Sequence, residues 1–352
     1  MPPLRVGVIG CGRIALEQHL PAYRALAEEG LARLVGVCDL DRASADRAAA
    51  RFGAPAFGSA AELLAATRPE AVSVATQPSS HRELVVAALE AGCHVLCEKP
   101  IAMSFDEARA MVRAAERAGR LLSVCFEYRY WDESRYLRDR IANGDLGHVH
   151  HVRTWGGASG GFPDSPGFHR REVAGGGVLT HWTIHNLDLA LWLLTPPGRG
   201  ASPPEPLTAS GFGHARLPDT AGPRGVDPAI EDFAVGFVRL AGGTAVTVEA
   251  NWLQPPSSRP EGWELLGARG AASLSPIRVW LDRGGVWSDD TPRPGRLAAC
   301  DYDMTRLIRD FLERARDGRP PPVAPDEILR IQRLMDGLYA SVASGHEVAL
   351  GA

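Results

Sequence analysis

The residues best suited to acid–base chemistry fall in two stretches. One is His94-Val95-Leu96-Cys97-Glu98-Lys99-Pro100, which holds the only lysine of a 352-residue chain whose other 37 fixed cations are arginine. Arginine serves wherever a surface cation is wanted. A single lysine therefore points to a need that arginine cannot meet: a compact ammonium that titrates and donates a proton. The other stretch is Gly175–Trp192, whose apolar spacing is helical. It places His181, His185 four residues on and Asp188 three further along one side. Two readings of that side compete. The three could be metal ligands, since two histidines and an aspartate can hold zinc or iron. Alternatively, His185 is a general base set beside the lysine, and Asp188 orients it. The second is preferred, because a Gly10-Cys11-Gly12-Arg13-Ile14-Ala15 run between a first strand and a first helix points to a dinucleotide, and hydride transfer from an alcohol to such a cofactor needs a proton acceptor but no metal. No metal is expected.

The elements that must position these residues are legible around them. His94 to Cys97 reads as a strand after Gly92, with Glu98 and Lys99 at its carboxyl end and Pro100 stopping the pairing. Open α/β sheets bind ligands outside the carboxyl ends of their strands. The first strand, Leu4 to Ile9, runs into Gly10-Cys11-Gly12-Arg13-Ile14-Ala15, and a helix carrying Leu20, Tyr23 and Leu26 follows. Gly10 permits the tight turn, Gly12 lets a diphosphate approach the backbone, and Ala15 allows close helix–strand packing. A second strand, Ala32 to Cys38, ends at Asp39, whose carboxylate can accept both ribose hydroxyls of adenosine. It would repel a 2′-phosphate, as would Asp41, so NAD is expected in preference to NADP. The strand Ala71 to Ala75 ends in Thr76-Gln77-Pro78, which would lie over the cofactor, and Ser80-His81 opens the next helix. Further helices are expected at Arg42 to Phe52, Ser59 to Ala66 and Ser104 to Ala118, the last two opened by capping boxes, and a strand at Leu121 to Cys125. This βαβ series implies a parallel sheet covered on both faces.

From Val149 the pattern changes to half-alternating strands: Val149 to Trp155, Thr208 to Ala215, Phe233 to Leu240, Ala245 to Trp252, Trp263 to Gly267, Ala271 to Leu274 and Ile277 to Leu281. The expected fold is α/β throughout. A Rossmann dinucleotide-binding domain covers 1–123, and a second α/β domain on a large open mixed or antiparallel sheet covers 124–352. Two Pro/Gly-rich surface loops are expected at Thr195 to Pro206 and Pro218 to Pro228, and closing helices at Asp303 to Arg316 and Pro325 to Ser344. Glu127-Tyr128-Arg129-Tyr130-Trp131 brings charged and aromatic groups to a strand end. With Trp155 and Arg170 these suit a hydroxyl-rich ring.

The net charge of −4 without a basic tract argues against a nucleic-acid surface. The six cysteines, at 11, 38, 93, 97, 125 and 300, form no paired CxxC elements. With no secretory or membrane-spanning segment in view, they read as reduced thiols in a cytoplasmic protein.

Taken together, G-x-G-x-x-A, Thr76-Gln77-Pro78 with His81, Glu98-Lys99-Pro100, and the Gly175-Gly176-Gly177 run followed by His185 and Asp188 resemble the glucose–fructose oxidoreductase and inositol dehydrogenase (Gfo/Idh/MocA) family. The resemblance covers essentially the whole chain. It implies NAD-dependent oxidation or reduction of a ring secondary alcohol of a sugar, cyclitol or glycoside by a homodimer or homotetramer. It matches Lys99 to a substrate-anchoring lysine and His185 to a catalytic histidine. Cofactor contacts are implied at Gly10, Gly12, Arg13, Ile14, Asp39, Thr76, Gln77, Pro78, His81, Glu98 and Lys99. Substrate contacts are implied at Glu127, Arg129, Trp155, Arg170, His181 and Asp188. The family pattern around the histidine is commonly D-x-G-x-H, and here His181 takes the aspartate's place, which adds it to the catalytic set. Two alternatives stay open: redox-neutral chemistry with bound NAD, such as elimination or epimerisation, and a cofactor-binding protein that does not turn over.

Overall fold

A computed structural model describes residues 2–157, 166–195, 203–215, 226–253, 261–298 and 303–351. The chain divides into two compact units, Met1–Glu127 with Tyr302–Leu329, and Tyr128–Asp301 with Arg330–Ala352.

The first unit is built on six strands: β1 (Leu4–Ile9), β2 (Ala32–Cys38), β3 (Ala56–Phe57), β4 (Ala71–Val74), β5 (His94–Cys97) and β6 (Leu122–Val124). All pair in parallel, in the order β3-β2-β1-β4-β5-β6. That order is the doubly wound dinucleotide-binding topology. Its strands carry Val6, Val8, Val72, Val74, Val95 and Leu96 fully buried, as a sheet covered on both faces requires. The crossovers are α1 (Leu20–Glu28), α2 (Arg42–Phe52), α3 (Ala60–Thr67), α4 (His81–Glu90) and α5 (Phe105–Ala118). Asp41, Ser59 and Ser104 cap α2, α3 and α5 through their side-chain oxygens, each cap contributing about 1 kcal/mol. A π-helical turn, Ala15–His19, precedes α1. β3 has no counterpart among the expected strands, because two residues cannot display a period.

The first unit also departs from the expected boundary after residue 123. It runs to Glu127 and regains a later segment, 302–329. The helix Thr305–Asp317 in that segment buries Leu307, Ile308, Phe311 and Leu312. Its Arg309 donates to both oxygens of Glu29 just after α1, at 2.5 and 2.7 Å. An amphipathic helix announces its apolar face in sequence but not the element that covers it.

Among the described residues the second unit carries nine strands: β7 (Val149–Gly157), β8 (Pro206–His214), β9 (Phe233–Leu240), β10 (Ala245–Asn251), β11 (Gly262–Gly267), β12 (Gly270–Leu274), β13 (Arg278–Asp282), β14 (Trp287–Asp289) and β15 (Val348–Ala349). Their order is β14-β13-β12-β11-β7-β10-β9-β8-β15. Among the described strands β7 and β10 are parallel neighbours and the other pairs are antiparallel, so the sheet is mixed. The expected strands are present, and the short edge strands β14 and β15 add to them. Burial alternates along β9 and β13, the signature of one covered face. Helices α6 (Asp132–Ala142), α7 (Arg171–Ala174) and α8 (Ile184–Leu194) belong to this unit. Cys300 and parts of the two Pro/Gly-rich loops lie outside the described residues. Among the described residues no helix is long and apolar enough to cross a membrane.

Candidate active site

In the first unit, β2, β1, β4 and β5 end side by side, and the loops after them bring most of the expected cofactor residues to one edge. Gly10 has φ +95°, and a Cβ there would lie 2.6 Å from the Ala75 carbonyl oxygen. Around Gly12 a Cβ would meet nothing within 4 Å. That open backbone, followed by helical turns from Ala15, fits a diphosphate. Asp39 lies against the same turn: its carboxylate accepts from the Cys11 and Asp41 N–H groups, both at 2.8 Å. A bare acidic side chain there fits adenosine ribose and not a 2′-phosphate. The residues present therefore suit NAD. Arg13 points to solvent, 3.9 Å from Glu17, so its backbone is the part held at the turn. Ile14 is half-buried, Gln77 exposed and Pro78 buried. Thr76 accepts a hydrogen bond from Ser80 at 2.8 Å. His81 differs from its expected role. Its ring is fully buried, with Nδ1 2.9 Å from the Pro100 carbonyl and Nε2 3.0 Å from the Thr76 carbonyl. It ties the loops after β4 and β5 together, and burial holds its pKa below the usual imidazole range.

At the end of β5, Glu98 is 5 % exposed and Lys99 half-buried. Burial alone would raise the Glu98 carboxyl. A hydrogen bond from His19 at 2.9 Å and the Lys99 charge hold it instead below the usual carboxylate range. Burial pushes the Lys99 amine below its usual value, against the opposing pull of Glu98 and Glu127. An amine lowered in this way gives up its proton more readily than an exposed lysine. The neighbouring thiols of Cys97 and Cys125 are driven up by burial, as are Cys11 and Cys38, both to about 12. Thiols held up in this way stay protonated and are poor nucleophiles.

In the second unit the histidine run opens with Gly175-Gly176-Gly177. A Cβ on Gly177 would overlap the Glu231 carbonyl oxygen. The Glu231 carboxylate accepts from the Gly177 and Leu179 N–H groups at 3.0 Å and from the Tyr339 hydroxyl at 2.8 Å, pinning the start of the helix. The run is not the regular helix expected. Leu179–Thr183 is a π-helical turn that leads into α8, so a wider turn separates His181 from His185 than α-helical spacing gives. Residue spacing alone cannot reveal a π turn. His181 is half-exposed, edge-on to Phe168 at 4.6 Å. His185 is 5 % exposed and stacks on Tyr128 at 4.8 Å. Tyr128 in turn stacks on Trp131 at 4.0 Å.

Asp188 and Arg129, both expected at substrate, form a buried two-pronged pair at 2.8 and 2.5 Å. Arg170 is exposed, 3.7 Å from Glu172. Trp155 stands on β7, with its ring where a Cβ on Gly262 would meet it at 2.6 Å. Glu127 is buried at the end of the first unit's main segment. Sequence reasoning missed Glu261. Its carboxylate accepts from Trp182 Nε1 at 3.0 Å and Tyr128 Oη at 3.2 Å, and burial raises its pKa to about 7. The available signal was indirect: Trp182 and Tyr128, on either side of the histidine, each carry a donor that needs an acceptor when buried.

Comparison with known proteins identifies the family. Residues 4–126 match the oxidoreductase family model with an NAD-binding Rossmann fold, and residues 134–273 match the Gfo/Idh/MocA C-terminal domain. The D-glucoside 3-dehydrogenase of Escherichia coli is 30% identical over 99% of this chain and 98% of its own. The inositol 2-dehydrogenase of Rubrobacter xylanophilus is 30% identical over 97% of this chain and 92% of its own. The fold is that of levoglucosan dehydrogenase solved in complex with NADH, with a TM-score of 0.86 at 22% identity and 99% of each chain covered. With both halves matched in order, the chain belongs to the Gfo/Idh/MocA family of oxidoreductases and carries its NAD-binding Rossmann fold.

Proposed function

We propose that this enzyme reversibly oxidises a ring secondary alcohol of a sugar, cyclitol or glycoside to a ketone. The observation that carries the reading is the chain's one lysine, its amine lowered by burial and flanked by Glu98 and Glu127, at the strand end beside the glycine turn. NAD, when bound, supplies the hydride acceptor. Gly10, Gly12, Arg13 and Ile14 hold its diphosphate through backbone groups, Asp39 its ribose, and Thr76, Gln77 and Pro78 its nicotinamide half. Lys99 hydrogen-bonds the reacting oxygen and polarises it. His185 takes the hydroxyl proton, with His181 in the position of the family's aspartate. Tyr128 and Trp155 offer ring faces, and Glu127 and Arg170 offer polar contacts to hydroxyls. Arg129 and Asp188, paired with each other, belong to the substrate side of the site, with Asp188 three residues from His185. The names of the glucoside and inositol dehydrogenases among the relatives support a hydroxyl-rich ring as substrate.

Cytoplasmic location and a homodimer or homotetramer belong to the same reading. Leu207, Phe212, Val235, Leu266 and Trp280 are exposed on strands of the open sheet, and a second copy would cover them. The test is a panel of glucosides, free sugars and cyclitols with NAD and with NADP, following reduced cofactor and ketone product together. Ketone and NADH in equal amounts are expected. Product without net NADH would replace dehydrogenation by redox-neutral chemistry. Tight sugar binding with no product would leave a non-catalytic protein.

A further inference from the structure

The Lys99 end of β5 rests on a buried chain of polar side chains. Tyr23 lies on α1 and His19 in the turn before it, Ser73 on β4, and Glu98 just after β5. Tyr23 Oη is 2.7 Å from Ser73 Oγ, Ser73 Oγ is 3.1 Å from His19 Nδ1, and His19 Nε2 is 2.9 Å from Glu98 Oε1. Tyr23, Ser73 and His19 are 0 % exposed. Apolar side chains of similar size would fill that volume without the cost of desolvating four polar groups. An ionised Glu98 only accepts, so His19 donates to it from Nε2, and the hydroxyls of Ser73 and Tyr23, the latter kept protonated by burial, continue the chain from Nδ1.

We propose that His19 is a positioning residue: at the end of the Tyr23–Ser73–His19 chain it donates to Glu98 and so keeps a carboxylate beside Lys99. The role rests on the reading of Lys99 as the acid–base group. Within this unit, the groups acting on Lys99 include Glu98, Glu127, Cys125 and Arg13. Glu98 is held by His19, by the Lys99 N–H at 3.2 Å and by the Cys125 thiol. Substituting His19 removes a donor to Glu98 while leaving Lys99 and the glycine turn unchanged in sequence. A buried carboxyl that loses its main donor takes up a proton, and the ammonium then loses its counter-charge.

The single lysine makes the test direct, because selectively nitrogen-labelled lysine gives one Nζ resonance that can be titrated by NMR without any substrate. In His19→Leu the Lys99 titration is expected to move to lower pH, its midpoint falling by about 1 or more on the pH scale. The limb of the pH–rate profile that tracks it should move in the same direction, and kcat should fall about 10- to 100-fold. NADH affinity should hold. His19→Gln offers an amide N–H to Glu98 and a carbonyl to Ser73, and should restore all three. If His19→Leu does not fold, Ser73→Ala, which only unseats the ring, should give a smaller movement in the same direction. An unmoved or upward Lys99 titration in the folded variant overturns the proposal. Full activity in Lys99→Arg would instead refute the catalytic reading of Lys99, and the NMR titration would still decide whether His19 holds Glu98.

Discussion

Two glycine-rich turns open helices in this chain, and they do different things. At Gly12 the space where a Cβ would stand is open; at Gly177 it is taken by the carbonyl of Glu231, and at Gly176 by the hydroxyl of Tyr339. The first turn leaves room for a molecule that is not part of the chain. The second is filled by the chain and fixes where His181 and His185 begin. Glycines before a helix therefore mark an anion site only where the neighbours stay away. The two regions differ in their buried carboxylates as well. Glu98 faces a histidine and an ammonium and is pulled below its usual pKa, whereas Glu261 meets only neutral Trp182 and Tyr128 donors and is raised. One region is organised by charge around a gap, the other by packing around a ring.

The largest effect expected tests whether both regions do chemistry. Lys99→Arg keeps the charge but presents a bulky planar fork, and should lower kcat about 10²–10⁴-fold with NADH binding intact. His185→Ala should cost about as much. Steady-state rates with a cofactor titration on each variant check both. Near wild-type turnover in either would confine proton transfer to the other region.

Gly177→Ala sharpens the packing half of the contrast. The new methyl meets a backbone carbonyl, which cannot swing away, so urea unfolding should show a loss of about 3 kcal/mol or more. A loss under about 0.5 kcal/mol would mean that the turn has slack and does not pin the histidines.

Glu261 gives a pH-dependent effect. Its folded pKa of about 7 stands above the ordinary 4.5. The fold thus favours the protonated acid, and this contribution is full below about pH 4.5 and lost as pH rises through 7. Between about pH 5 and 8 the wild type should lose a few kcal/mol at most relative to Glu261→Gln, since a tenfold change in proton affinity on folding is worth about 1.4 kcal/mol. Denaturation at a series of pH values measures the difference. Parallel curves across that window would place the ionised carboxylate in water.

The first region was far more legible in sequence than the second, and the reason is physical. Gly10, Gly12, Asp39 and Lys99 owe their places to strand ends in one parallel sheet, and strand, turn and helix are local patterns. His19 and Ser73 sit in the same elements and were missed, because a buried hydrogen-bond chain between α1, β4 and β5 has no period. In the second unit alternation points to seven of the nine described strands, and the short edge strands β14 and β15 show no period. The Asp188–Arg129 pair, the Glu231 staple and Glu261 join residues more than fifty positions apart, and nothing in the intervening sequence announces them. The helix Thr305–Asp317 misled the boundary for the same reason.

The smallest effect on stability is expected at Gly12, and it bears most directly on what the open turn is for. The residue does not need a left-handed backbone, and an added methyl meets no atom within 4 Å. Gly12→Ala should therefore leave urea stability within about 0.5 kcal/mol of wild type, or raise it slightly by restricting the unfolded chain. If the proposed diphosphate site is right, the same methyl stands where that group comes against the backbone, so NADH affinity, read by fluorescence titration, should fall sharply in a protein that unfolds like the wild type. Gly177→Ala should show the reverse: a large loss of stability and, in whatever fraction stays folded, an unaltered cofactor site. If Gly12→Ala binds NADH as the wild type does, the gap at the first turn is not the diphosphate site, and the difference between the two glycine turns is one of packing alone.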